Sequence, residues 1–175
     1  MDYFQGVVVE FLRADRAVFV NTECCIQLNH HANPDSSGAH WYCDALALNL
    51  RSNEVYLCEV SYAQKLGALT KRLEGWARDW PRLRQALVRD SSVDASWHVR
   101  PWLFVPGEFR ELANEIVAKL SNTGDAPGQM PTPHITALES VLPWKYKSWN
   151  RFDNAMTEPG VCPQPVSAAL RDSKA

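Results

Sequence analysis

No uninterrupted apolar run in the chain approaches the roughly 20 residues that a bilayer-spanning helix needs. The start, Met1-Asp2-Tyr3, lacks the basic and apolar segments of a secretory signal. Both absences lead to the expectation of a soluble, cytoplasmic protein with no membrane partner. The five cysteines, Cys24, Cys25, Cys43, Cys58 and Cys162, form no CxxC pair, so neither a disulfide framework nor a zinc ribbon is indicated. A Gly-rich phosphate loop, a GxSxG elbow and an HExxH helix are also missing, which removes the commonest nucleotide, acyl-transfer and zinc-hydrolase signatures. There is no internal repeat. What is present is enough for a core: 46% of the 175 residues are hydrophobic and 22% charged, which excludes disorder and suits one domain with an appendage.

The pattern of apolar residues predicts the elements. Val7, Val8, Phe11 and Leu12 recur at helical spacing within residues 4–16, and 17–29 is strand-like. A polar loop from His30 to His40 carries the turn cluster Asn33-Pro34-Asp35-Ser36-Ser37-Gly38. Trp41–Leu50 and Val55–Tyr62 read as an antiparallel hairpin around Arg51-Ser52-Asn53-Glu54. Residues 64–89 form a helix with the stripe Leu66, Leu69, Leu73, Trp76 and Trp80, and Pro81 is expected to break or kink it. Residues 97–105 are a strand that Pro101 assigns to an edge or a bulge. Phe109–Leu120 is a further amphipathic helix. Seven of the 11 prolines follow Asn122, so the expected division is a core at 1–121 and a proline-rich arm or small appendage at 122–175, with a strand-like run at His134–Leu142. The order helix, strand, hairpin, helix, strand, helix predicts an α/β fold with a mixed sheet flanked by helices.

Charge is unevenly placed. Residues 65–89 hold Lys65, Lys71, Arg72, Arg78, Arg82, Arg84 and Arg89 against Glu74 and Asp79, a local balance of +5 in a chain of net charge −2. Such a helix is either a solvated face or a surface for phosphates.

The hairpin permits a statement about registry. With Ser52-Asn53 at the turn centre, Leu46 faces Glu59 and Asp44 faces Ser61. Asp44 and Glu59 then share a sheet face as diagonal neighbours, with Cβ atoms about 7 Å apart or less. A slip of one residue would put them on opposite faces. Two acids beside an apolar face are costly to bury unless compensated, and a divalent cation compensates; at a solvated strand end they need no partner.

An N-terminal helix with an acid at Glu10, a strand, a hairpin carrying Asp44 and then Glu59, a helix and another strand resemble the core of the PD-(D/E)xK nuclease superfamily, over roughly residues 5–120. The resemblance implies a restriction-endonuclease-like fold of αβββαβ order. It also implies Mg²⁺ (or Mn²⁺) held by Asp44, Glu59 and the carbonyl of Val60, with Glu10 joining through water or holding a second ion. The activity implied is metal-dependent phosphodiester hydrolysis of nucleic acid, most naturally DNA, with a homodimer by analogy. The family's lysine falls at Ser61, which cannot carry a positive charge. Lys65 is the candidate replacement, with Gln64 as a second water- or metal-positioning candidate. Lys71, Arg72, Arg78 and Arg82 are the candidate phosphate contacts.

Two readings compete with catalysis. One is a nuclease-like module that has lost activity with its lysine and serves nucleic-acid binding or protein assembly. The other is an unrelated α/β protein whose seven tryptophans serve a small-molecule or protein interface. His30, His31, Asp35 and His40 share a loop without a zinc-like spacing. Trp144–Arg151 alternates aromatic and basic residues, as single-strand-binding surfaces do, although anchoring the arm by its rings is the simpler role.

Overall fold

A computed structural model describes residues 2–29, 39–91, 93–124 and 126–142. The loop histidines His30 and His31 with Asp35, the aromatic-basic run 144–151 and Cys162 lie outside the described residues. The chain is an α/β protein built on one five-stranded mixed sheet in the order β1-β2-β3-β4-β5. The strands are β1 (Val18–Gln27), β2 (His40–Asn49), β3 (Glu54–Val60), β4 (His98–Val105) and β5 (His134–Ala137), and the helices are α1 (Tyr3–Arg13), α2 (Gly67–Ser91) and α3 (Arg110–Lys119). β1, β2 and β3 run antiparallel, whereas β3, β4 and β5 are parallel. The crossovers between the parallel strands carry α2 and α3.

Each sheet face buries its own apolar set. Val8, Val9, Phe11 and Leu12 of α1 pack with Ala45, Ala47, Tyr56, Cys58, Trp102 and Phe104, and the Phe11 ring stands edge-on to Trp102 and Phe104 at 6.2 and 6.3 Å. On the opposite face Leu69, Leu73, Trp76, Trp80, Leu83 and Leu87 of α2 cover Leu46, Val55, Leu57, Val99 and Leu103. Each fully buried large apolar side chain stabilises by roughly 1.5–3 kcal/mol, so these two layers hold the sheet rigid beneath any site at its rim.

Four expectations need correction. The hairpin turn is longer than two central residues: Ala45 pairs with Cys58 and Asn49 with Glu54, leaving Leu50–Asn53 as the turn. Asn49 causes this, because its buried side-chain oxygen accepts from the N–H groups of Arg51 and Ser52 at 3.0 and 3.3 Å. Asn53 then takes the left-handed conformation (φ 58°) that asparagine tolerates. The registry moves by two residues, which brings Asp44 abreast of Glu59 rather than diagonal to it.

Pro81 does not interrupt α2, which runs from Gly67 to Ser91. A proline at this position removes the N–H that would bond the carbonyl four residues earlier, and that carbonyl, Ala77, accepts instead from the Asn122 side chain at 2.8 Å. Nor is β4 an edge strand. Pro101 lies one residue before the β5 ladder starts at Trp102, where β4 is paired on its β3 side alone.

The expected boundary at 121/122 also does not separate two bodies within the described residues. β5 completes the sheet, and Met130, fully buried, belongs to the core around α2. No helix among the described residues is long and apolar enough to cross a membrane.

Candidate acid-pair site

Asp44 sits where β2 leaves β3. The ladder stops at Ala45–Cys58, and the next N–H of β3 on that side, Val60, donates to the Asp44 carboxylate at 2.7 Å. The second Asp44 oxygen accepts from the Gln5 side-chain nitrogen at 2.8 Å. Gln5 has a double task, because its side-chain oxygen accepts from the Asp2 backbone N–H while the Asp2 side chain accepts from the Gln5 N–H, both at 2.8 Å. This reciprocal capping box starts α1 and ties the helix end to the sheet through Asp44. The motif Asp2-x-x-Gln5 is visible in the sequence and marks the start of α1, although nothing local in it shows that Gln5 reaches a residue 39 positions away.

The same place is where the β1–β2 ribbon turns over. Val18 and Val20 pack on the α1 side, but Cys24 and Ile26 pack on the α2 side. Between them Glu23 adopts φ 52°, a left-handed conformation uncommon outside glycine. The ladder omits the Glu23–Asp44 pair while its registry continues unchanged to Cys24–Cys43.

Glu59 is 4% exposed. Both of its oxygens accept from one guanidinium nitrogen of Arg72, at 2.7 and 2.6 Å. Burial, with the negative charge of Asp44 second, pushes the Glu59 carboxyl up to about 8, and the Arg72 contact offsets only part of this. Asp44 is raised as well, chiefly by burial, against the opposing pull of the Val60 N–H, Arg72 and Gln5. Arg72 therefore supplies the compensating positive charge that the sequence reading assigned to a cation. The two acids, Val60, Ser61, Ala68, Leu69 and Arg72 line a cavity of about 110 Å³, room for about three or four waters and too small for a nucleotide.

The remaining candidates are dispersed. Glu10 is exposed and paired with Arg13 at 3.5 Å, while Gln5 is the α1 residue that reaches the acids. Gln64 and Lys65 are exposed in the turn before α2, and neither is among the residues lining the cavity. Lys65 precedes the helix instead of starting it. Arg72, expected to face phosphates, is turned to Glu59. Lys71, Arg78 and Arg82 are exposed, and their spacings of seven and four residues, extended by seven more to Arg89, place all four along one line of α2. Arg78 also donates to Asp79 at 3.1 Å and stacks over Trp41 at 5.8 Å. Arg82 donates to Asn29 at 3.3 Å and Arg89 to the Gln27 carbonyl at 2.7 Å.

The donor set does not fit the Mg²⁺ site that the resemblance implies. Each Asp44 oxygen has a protein donor, both Glu59 oxygens face a guanidinium, and Glu10 is elsewhere. Among the described residues no group of three or more His, Cys, Asp or Glu side chains is placed to hold a metal ion.

Sequence reading missed a second polar cluster on the α1 side. The Tyr56 hydroxyl donates to Glu54 at 2.6 Å, and an Arg100 guanidinium nitrogen lies 2.7 Å from His134 Nε2. A guanidinium only donates, so Nε2 accepts and the imidazole is neutral with its proton on Nδ1. Burial and then the Arg100 charge lower the His134 pKa. A groove of about 460 Å³ lined by Arg84, His98, Arg100 and residues of the 124–131 loop shares no lining residue with the acid cavity.

Comparison with known proteins adds no relative: no family model, no curated protein and no solved structure matches the chain.

Proposed function

We propose that this chain is a restriction-endonuclease-like α/β module that binds nucleic acid without cleaving it. The observation that carries the reading is the Arg72 guanidinium seated on both oxygens of Glu59. An internal cation satisfies the buried acid and takes both of the oxygens a metal would need. Ser61 in place of a lysine, and Lys65 outside the cavity, support the same conclusion, since among the described residues no ammonium lines the cavity to balance charge on a phosphate. The exposed line of Lys71, Arg78 and Arg82 supports the binding half: three cations on one helix face suit a phosphate backbone, whose neutralisation releases counterions.

Metal-dependent hydrolysis, the competing reading, requires Arg72 to leave Glu59. Plasmid incubated with the protein and Mg²⁺ or Mn²⁺ decides between them. The expected result is intact plasmid together with a gel shift that weakens steeply as salt rises. Cleavage that disappears in both Asp44→Ala and Glu59→Ala would establish the nuclease reading at this site. Absence of any salt-sensitive shift would remove nucleic acid from the proposal altogether.

A further inference from the structure

Cys24 and Cys43 are directly opposed on the antiparallel strands β1 and β2. Their side chains lie on the same face, since Cys43 belongs to the core beneath α2 and Cys24 packs against that core. Opposed residues of an antiparallel pair have Cα atoms about 4.5–5.5 Å apart, inside the roughly 4.4–6.8 Å that a disulfide spans. The Cys24 Sγ also lies 4.0 Å from the Cys25 carbonyl, to which it can donate. Cys25 is opposed by Tyr42, and Cys58 lies between Ala45 and Trp102, so neither faces another cysteine across the ladder.

The two sulfurs differ in access. Cys43 is buried, whereas Cys24 is half-buried and lines a groove of about 310 Å³ with Asn21, Ile26, Leu46, Leu48 and Leu87 among its walls. The neighbouring Cys43 thiol lowers the Cys24 pKa, against burial and the charge of Asp90, while Cys24 and burial raise that of Cys43. Access thus falls on Cys24, and the opposed Cys43 is the sulfur placed to meet it once it is oxidised.

We propose that Cys24 and Cys43 form a peroxide-sensitive dithiol that closes to a cross-strand disulfide. The Cys24 thiolate attacks a hydroperoxide oxygen; an S–O bond forms, the O–O bond breaks, and the departing oxyanion takes a proton to leave as water or alcohol. The Cys43 sulfur then attacks the Cys24 sulfenic acid; the S–S bond forms, the S–O bond breaks, and hydroxide leaves with the Cys43 proton as water. Two thiols lose two electrons and one hydroperoxide is reduced. The closed bridge pins β1 to β2 one residue from Asp44, at the point where the ribbon turns over.

The test uses the reduced, folded full chain and a small molar excess of hydrogen peroxide, followed by thiol alkylation, unfolding and peptide mass mapping. The expected result is a fall from five free thiols to three, a single cross-linked peptide joining Cys24 to Cys43, and recovery of all five with dithiothreitol. Cys43→Ala should abolish the cross-link and let Cys24 pass to the sulfinic acid, while Cys25→Ala should leave the bridge unchanged. Should Cys43→Ala fail to fold, the peptide map of the unaltered chain and Cys24→Ser, at the more exposed position, carry the decision. Retention of five thiols, a bridge through Cys25 or Cys162, or Cys24 sulfinic acid in the unaltered chain would each overturn the proposal.

Discussion

Replacing Arg72 by methionine keeps much of the aliphatic stem and removes the only guanidinium seated on Glu59 among the described contacts. Its consequence depends on pH. The Glu59 carboxyl is raised from the 4.5 of an unburied glutamate to about 8, so between these values the folded state binds a proton that the unfolded state has released. Stability contributed by this group is therefore fully present below about pH 4.5, falls as pH rises, and levels off above 8. Over that window the loss is on the order of 3–5 kcal/mol if Glu59 alone titrates. In Arg72→Met the carboxyl has no cation, so its pKa moves higher and the decline continues beyond pH 8. At pH 5, where Glu59 is already protonated, the variant should lose only about 1–2 kcal/mol for a hydrogen bond. At pH 9 it should lose about 3–5 kcal/mol, the usual penalty for stranding a buried charge. Urea denaturation of the unaltered chain, Arg72→Met and Glu59→Gln at pH 5, 7 and 9 measures this, with Glu59→Gln expected to flatten the slope. An Arg72→Met penalty equal at pH 5 and 9, or a Glu59→Gln slope equal to that of the unaltered chain, would refute the assignment of the buried proton to Glu59.

Other outcomes follow from single contacts. Gly75→Ala raises helix propensity by about 1 kcal/mol, yet a Cβ there would lie 2.1 Å from the Trp41 ring, which is held by its bond to Asp79 at 3.1 Å; thermal denaturation should show a net loss of about 1–3 kcal/mol from overpacking. Asn122→Ala strands the Ala77 carbonyl that Pro81 leaves without its helical partner, and chemical denaturation should report about 1–2 kcal/mol lost. Gln5→Ala opens the capping box and frees one Asp44 oxygen, so hydrogen exchange at the first turn of α1 should accelerate, with about 1 kcal/mol of stability lost. Lys71→Glu with Arg82→Glu should weaken DNA binding and reduce its logarithmic salt slope by about 0.9 per phosphate contact removed; an unchanged slope would move the binding face off α2.

The elements were readable because periodicity is local. Alternation in 41–50 and 55–62, and the leucine-tryptophan stripe of 64–89, are fixed by which positions must leave water, whatever the partner. The hairpin registry was readable only in parity. Leu50 fits the apolar pattern of a strand, yet the Asn49 side chain closes the turn around Arg51 and Ser52, and a shift by two residues keeps every side chain on its face. Pro81 and Pro101 carry a correct general rule whose exceptions depend on distant residues. The first is tolerated because Asn122 caps the freed carbonyl, the second because β5 begins one residue later.

By itself, then, the sequence determined an α/β protein, and it offered two acids as diagonal neighbours on a β-hairpin with a cationic helix following the second. Tertiary structure decided what those acids are for. The reach of Arg72 from the first turns of α2 and of Gln5 from the N-terminus of α1 depends on how each helix docks on the sheet, a matter of packing across 13 and 39 positions of chain. Hydrophobic periodicity shows which face of a helix is buried. It does not show how far along the sheet that helix slides, and that distance decides whether a carboxylate meets water, a metal ion or an arginine.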